Sequence, residues 1–185
     1  MRLAPFAPLN TQRLDLVALK LEHAPFVFAY ARDPEISGLV AWQQHASLAD
    51  SRRFIARSLV GRAKGGHYTW GIVRHTDQTF IGTCGFGEID STRGCGDIYY
   101  MLAKAYWGQG YATEAAAAVM QFGFTRLSLR LIEAQAFTDN AASLRVLTKL
   151  GLRFREHSQL DETSEPPRPV SIWRIERPSS NGEKR

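Results

Sequence analysis

The stretch Tyr106-Trp107-Gly108-Gln109-Gly110-Tyr111-Ala112-Thr113-Glu114 decides how the rest of the 185-residue chain is read. Before it, Asp97 to Ala103 reads as an extended segment. After it, the alanine-rich run Ala115 to Phe124 carries Val119, Met120, Phe122 and Gly123 at helical intervals. Strand, glycine turn and helix together are what a phosphate site requires. Glycine lets the backbone approach a ligand closely, and the free N–H groups of a first helical turn attract anions. A short Gly-x-Gly serves equally well as a tight turn packing a helix on a sheet. On its own the stretch supports both readings.

Working outward, composition narrows the class before it names anything. Apolar residues make up 44% and charged residues 22%, a globular balance that argues against a disordered chain. No apolar run is long enough for a membrane span, and the first nine residues lack the apolar stretch of a secretion signal. A cytoplasmic location is expected. Two cysteines, Cys84 and Cys95, are too few for a disulfide framework and fit no metal-ligand spacing. Neither a bridge nor a metal is expected. The net charge of +5 permits a nucleic-acid surface, but the basic residues are scattered, and an anionic cofactor would be served as well.

Taken in order, the chain alternates strand and helix signals. Arg13 to Leu19 reads as a strand and Glu22 to Arg32 as a helix stopped by Asp33-Pro34. A short helical piece through Val40 follows. Ser47 is the expected N-cap of a helix over Leu48 to Arg62. His67 to Arg74, Thr79 to Glu88 and Asp97 to Lys104 form a meander, with turns at 75–78 and 90–96. After the helix that follows the glycine turn, Arg130 to Phe137 is a strand. Asp139-Asn140 caps a helix ending at Gly151, and Leu152 to Ser158 and Val170 to Arg177 are the last strands. The expectation is one α/β domain over residues 1–177, with a mixed, mostly antiparallel sheet of about seven strands flanked by helices. Residues 178–185 are expected to be a polar tail.

Two segments now combine: Asp97 to Ala118 around the glycine turn, and Asp139-Asn140-Ala141-Ala142-Ser143-Leu144-Arg145-Val146-Leu147-Thr148-Lys149-Leu150-Gly151. In this order they resemble the GNAT superfamily of acetyl-CoA-dependent N-acetyltransferases, and within it the branch containing the ribosomal-protein N-terminal (Rim-type) enzymes. Thr11-Gln12-Arg13-Leu14 and Asp33-Pro34-Glu35 fit the same branch. The resemblance runs from about Leu9 to Arg177. It implies a sheet splayed in its middle, with the pantetheine arm of the cofactor slotted between Met101-Leu102-Ala103 and Arg130 to Phe137. A backbone N–H near Leu102 would then hold the thioester carbonyl.

The superfamily pattern places Arg or Gln where this chain has Trp107, and a second glycine where it has Ala112. The resemblance therefore implies a pyrophosphate cradle made mainly of main-chain N–H groups, over Trp107, Gly108, Gln109, Gly110, Tyr111, Ala112 and Thr113. Arg145 and Lys149 are candidates for the cofactor's 3′-phosphate, or else form a solvated helix face. Asn140 is expected to touch the pantetheine arm while also capping its helix.

Chemistry then singles out three kinds of group. Acetyl transfer needs a neutral amine, an oriented thioester and release of a thiolate. An α-amino group of pKa ~8 is about a tenth neutral at pH 7, a lysine of ~10.4 well under a thousandth. For the leaving sulfur, Rim-type enzymes place a serine where Ser143 stands. For the base, Glu162 is the first candidate and Glu88 the second, with Asp161 beside Glu162 as a near alternative. Asp97 is expected at the far end of its strand. Trp42 and His45 are candidates to line the acceptor pocket. The expected acceptor is a primary amine, either a protein N-terminus or a small molecule such as an antibiotic, polyamine or amino-acid derivative. A non-catalytic acyl-CoA-binding module and an RNA-associated protein are the competing classes. Monomer and homodimer stay open.

Overall fold

A computed structural model describes residues 5–40, 42–159 and 168–178 of the chain. The elements follow the expected order: β1 (Leu9–Asn10), β2 (Leu14–Ala18), α1 (Ala24–Ala31), α2 (Pro34–Ser37), α3 (Leu48–Ala63), β3 (Tyr68–Arg74), β4 (Phe80–Asp90), β5 (Cys95–Leu102), α4 (Tyr111–Thr125), β6 (Leu131–Phe137), α5 (Ala141–Lys149), β7 (Arg153–Gln159) and β8 (Pro169–Glu176). They form one sheet in the order β1-β2-β3-β4-β5-β6-β8-β7. The sheet has eight strands rather than about seven. The addition is β1, whose two residues are too few to show an alternation in sequence. The turn expected over 90–96 is also shorter, because β4 runs to Asp90 and β5 starts at Cys95. Asp90 closes it by accepting from the Thr92 and Arg93 amides at 2.9 and 3.0 Å.

Local chemistry accounts for the helix starts. Asp33 accepts from the Glu35 amide at 2.9 Å and caps α2. Ser47 and Asp50 form a reciprocal capping box on α3. Asn140 accepts from the Ser143 amide at 3.0 Å and caps α5.

The helices divide between the two faces of the sheet, and each face carries its own core. Against α4 and α5 pack Leu16, Trp70, Phe86, Ile98 and Leu102. Against α1, α2 and α3 packs a smaller cluster containing Val27, Tyr30, Ile55 and Met101. Successive residues of β5 thus serve opposite faces, as the pleat requires. Among the described residues no helix is long and apolar enough to cross a membrane.

The feature that makes the site lies between β5 and β6. These strands run parallel but pair only over Cys95 to Asp97 with Leu131 to Glu133. Beyond that point β6 bonds to β8 alone, through Phe137. The sheet is open in its middle, and its two halves part like a V with the apex at Asp97 and Glu133.

Candidate active site

A cavity of about 820 Å³ fills the V and continues past β5 toward α3. This is within the range of small-molecule sites. One wall is the inner edge of β5. Ala103 N donates to Ile81 O at 2.9 Å, which puts Ala103 in a pair exchanging bonds with β4. By antiparallel alternation Met101 and Tyr99 do the same, so Leu102, Tyr100 and Ile98 turn their amides away from β4 and into the V. A bound chain with amides of its own can complete that edge as an added strand.

At the wide end of the V lies the glycine turn. Gly108 and Gly110 adopt φ of +73° and +82°, where a Cβ is strained. The first backbone bond of α4 runs from Glu114 N to Gly110 O at 3.0 Å. The amides of residues 111–113 therefore have no helical acceptor and point out of the helix start, where the helix dipole adds its positive end. Trp107 does not reach for a ligand through its indole N–H. That group donates to Leu102 O at 2.9 Å and fastens the turn to the end of β5. Arg145 and Lys149 on α5 are exposed and border the same cavity.

Of the residues expected to hold the cofactor, all but Ala103 and Gln109 border this cavity. Those two brace it: Ala103 through its bond to β4, and Gln109 through its carbonyl, which accepts from Arg13 at 3.0 Å. Asn140 is spent on structure as well as position. Its Oδ1 caps α5 and its Nδ2 donates to Leu39 O at 3.1 Å.

Ser143 meets a partner that the sequence reading missed. The second motif holds no tyrosine, but Tyr100 of β5 places its hydroxyl 2.8 Å from Ser143 Oγ, and both line the cavity. Burial pushes the Tyr100 phenol above its usual range, so it stays a neutral hydroxyl able to donate. The signal was available only as the alternation that turns Ile98, Tyr100 and Leu102 to the same face.

At the apex the carboxylates fall differently from expectation. Asp97, expected at the far end of its strand, lines the cavity. The reason is topology: the glycine turn follows the C-terminal end of β5, and the V narrows from there to its apex at Asp97. Glu88 lies opposite Asp97 across the β4–β5 ladder at a bulge, but is itself exposed. Glu162 and Asp161 lie outside the described residues. Asp97 Oδ1 is buried with no hydrogen-bond partner among the described residues. Burial first, then the charges of Glu133 and Glu88, raise its pKa to about 7.

The side of the cavity away from α4 and α5 is walled by α3 and the meander. Tyr99 donates to Thr69 Oγ1 at 2.8 Å, and Trp42 lies over Phe54 in an edge contact with centroids 5.6 Å apart. Trp42 borders the cavity as expected. His45 does not. It is 6% exposed, bonded through Nδ1 to Ser51 Oγ at 2.8 Å, and tilted against Trp42 from behind. It supports the pocket wall rather than lining it.

The site combines an open parallel gap, an amide-lined strand edge and an anion-ready helix start, and comparison with known proteins gives it a family. Residues 13–153 match the acetyltransferase (GNAT) domain family. An uncharacterized N-acetyltransferase p20 of Bacillus licheniformis is 35% identical over 149 residues, spanning 78% of this chain and 82% of its own. The fold matches a Salmonella typhimurium acetyltransferase described as modifying the N-terminal serine of ribosomal protein L7/L12. That match has a TM-score of 0.83 and 17% identity, over 92% of this chain and 99% of that one. It also matches the microcin C7 self-immunity acetyltransferase in complex with acetyl-CoA and AMP, at TM-score 0.79 and 18% identity over 90% and 93% of the two chains. The chain belongs to the GNAT acetyltransferase family, and it is an acetyltransferase.

Proposed function

We propose that the protein transfers the acetyl group of acetyl-CoA to a primary amine of the α-amino type, with a protein or peptide N-terminus as the favoured acceptor. The observation that carries this reading is Asp97 at the apex of the V, whose buried Oδ1 has no hydrogen-bond partner among the described residues and whose pKa is raised to about 7. That value is within about a unit of an α-amine near ~8, so proton transfer is nearly balanced, whereas a lysine near ~10.4 is three units away. The L7/L12-modifying Salmonella enzyme, similar in fold, points the same way.

The residues divide the work as follows. The amides of residues 108–113 hold the pyrophosphate, and Arg145 and Lys149 lie in reach of the ribose phosphate. The inward amides of Leu102 and Tyr100 align the thioester arm, which supplies the electrophilic acetyl carbon when bound. Asp97 accepts a proton from the acceptor ammonium, freeing the lone pair. The nitrogen attacks the carbonyl carbon, the C–N bond forms, and an inward amide of β5 faces the developing oxyanion. Collapse breaks the C–S bond. Ser143, oriented by Tyr100, donates a hydrogen bond to the departing sulfur, and the nitrogen's second proton ends on the thiol.

The test is an acetyl-transfer screen that follows thiol release, with peptide N-termini and small amines side by side. Turnover on peptide α-amines is expected. Coenzyme A binding without turnover on any amine would overturn the catalytic reading and favour a binding module.

A further inference from the structure

The cavity that Asp97 lines also carries charge of the other sign, on α3. Arg57, on α3, borders the cavity and has no acidic partner among the described residues. The acid nearest to it along the helix, Asp50, is already engaged: it pairs with Arg53 and accepts from Ser47 at 2.8 Å through both the amide and the hydroxyl. Phe54 and Ser58, on the same face of α3, border the cavity beside Arg57, and Ser58 is a buried hydroxyl. His67 completes this wall, packed against Gly61. Burial lowers the pKa of His67, so it is neutral near pH 7 and Arg57 is the permanent cation there.

A pocket built only to receive an ammonium at Asp97 gains nothing from a guanidinium in its lining. For a polyamine, whose remaining charges are all positive, that guanidinium is a repulsive element. For a molecule that carries a carboxylate or phosphate beside its amine, the two charges meet complementary partners, and a guanidinium is the side chain best matched to such an anion. The arrangement also fixes polarity, because only one orientation sets the amine at the apex.

We infer that the acceptor bears an anionic group besides its reacting amine, and that Arg57 is the residue that selects it. The class is that of free amino acids and of peptides with an acidic first residue, and it excludes polyamines. This inference rests on the acetyl-transfer reading above.

Acceptor pairs that differ only in the anion test it, at saturating acetyl-CoA: peptides beginning with Asp against the same peptides beginning with Asn, and a free amino acid against its amide. In the wild-type protein the anionic member is expected to have a kcat/KM higher by about tenfold or more, mainly through KM. Arg57→Gln is expected to bring each pair to parity while leaving the KM for acetyl-CoA unchanged, and Arg57→Lys to retain part of the preference. Arg52→Gln, an exposed change on the same helix, is expected to keep it in full. Which pair shows the larger ratio distinguishes a peptide from a free amino acid as the source of the anion. Turnover without an anion preference in the wild type, or an equal loss for both members in Arg57→Gln, overturns this inference alone. No turnover with any acceptor overturns the acetyl-transfer reading and this inference with it.

Discussion

Arg13 Nε lies 2.7 Å from Glu114 Oε2, joining the entry of β2 to the first turn of α4 across one hundred residues of sequence. The Arg13 amide donates to the same carboxylate at 2.8 Å, and the Thr11 hydroxyl at 2.7 Å. Burial pushes the Glu114 pKa up, but these hydrogen bonds outweigh it and hold the group ionised. The guanidinium also stacks over Tyr111 at 4.5 Å and reaches the Gln109 carbonyl. An acid in the first turn of α4 would repel a bound pyrophosphate if it stood alone. Arg13 neutralises it and pins the turn from both sides.

Arg13→Ala is therefore expected to raise the KM for acetyl-CoA by about tenfold, with a smaller effect on kcat, because the loop is loosened rather than the chemistry removed. Leaving the Glu114 carboxylate part-buried and short of donors should also lower stability by about 1–3 kcal/mol. Steady-state kinetics and thermal unfolding check both. An unchanged KM for acetyl-CoA would show that the brace has no part in binding.

Gly110 sits at φ +82° as the N-cap of α4, with Arg13 the nearest side chain to where a Cβ would stand. Gly110→Ala should cost about 1–2 kcal/mol through backbone strain alone. Gly110→Glu adds a negative charge to the cradle and should abolish detectable binding of coenzyme A in calorimetric titration. Wild-type affinity in the Glu variant would reduce the turn to a packing device.

The Tyr100–Ser143 pair predicts coupling. Ser143→Ala should lower kcat by about ten- to a hundredfold and leave the KM for acetyl-CoA nearly unchanged. Tyr100→Phe should lower kcat less, and the double variant should be no worse than Ser143→Ala, since Tyr100 works through Ser143. Additive losses would give the two hydroxyls separate roles.

Asp97 predicts two opposite pH dependences. Its carboxylate must be ionised to accept a proton, so kcat/KM should rise with pH through about 7. Asp97→Asn should remove that limb and reduce kcat/KM by about a hundredfold or more. Stability runs the other way. The folded protein holds this proton more tightly than the unfolded chain, whose aspartate titrates near ~3.9, so the stability supplied by the neutral acid is lost as pH rises from about 4 to about 7. The melting temperature of the wild type should fall across that window relative to Asp97→Asn. Parallel curves would mean that Asp97 titrates normally.

Much of the fold was legible because its signals are local. Ser47 and Asn140 cap their helices from the first turn, and alternation marked every strand long enough to show it. The two-residue β1 has no period to detect. The site was legible where it is made of backbone, in the turn over 107–113. It is not legible where distant strands are superposed. The surroundings of Asp97 come from β4 and β6, through Glu88 and Glu133, which its own strand does not show. Tyr100 and Ser143 are 43 residues apart, and no spacing rule joins them.

Sequence alone settled the elements and the glycine turn, because glycine placement, helix caps and apolar period act over a few residues; the resemblance of its two motifs carried the acyl-donor chemistry. Tertiary structure alone decided that Asp97 lines the cavity, which hydroxyl pairs with Ser143, and that the Trp107 indole fastens the loop to β5. Those outcomes depend on where β5 and β6 part. A three-residue parallel ladder sets that point, and with it the burial that raises Asp97.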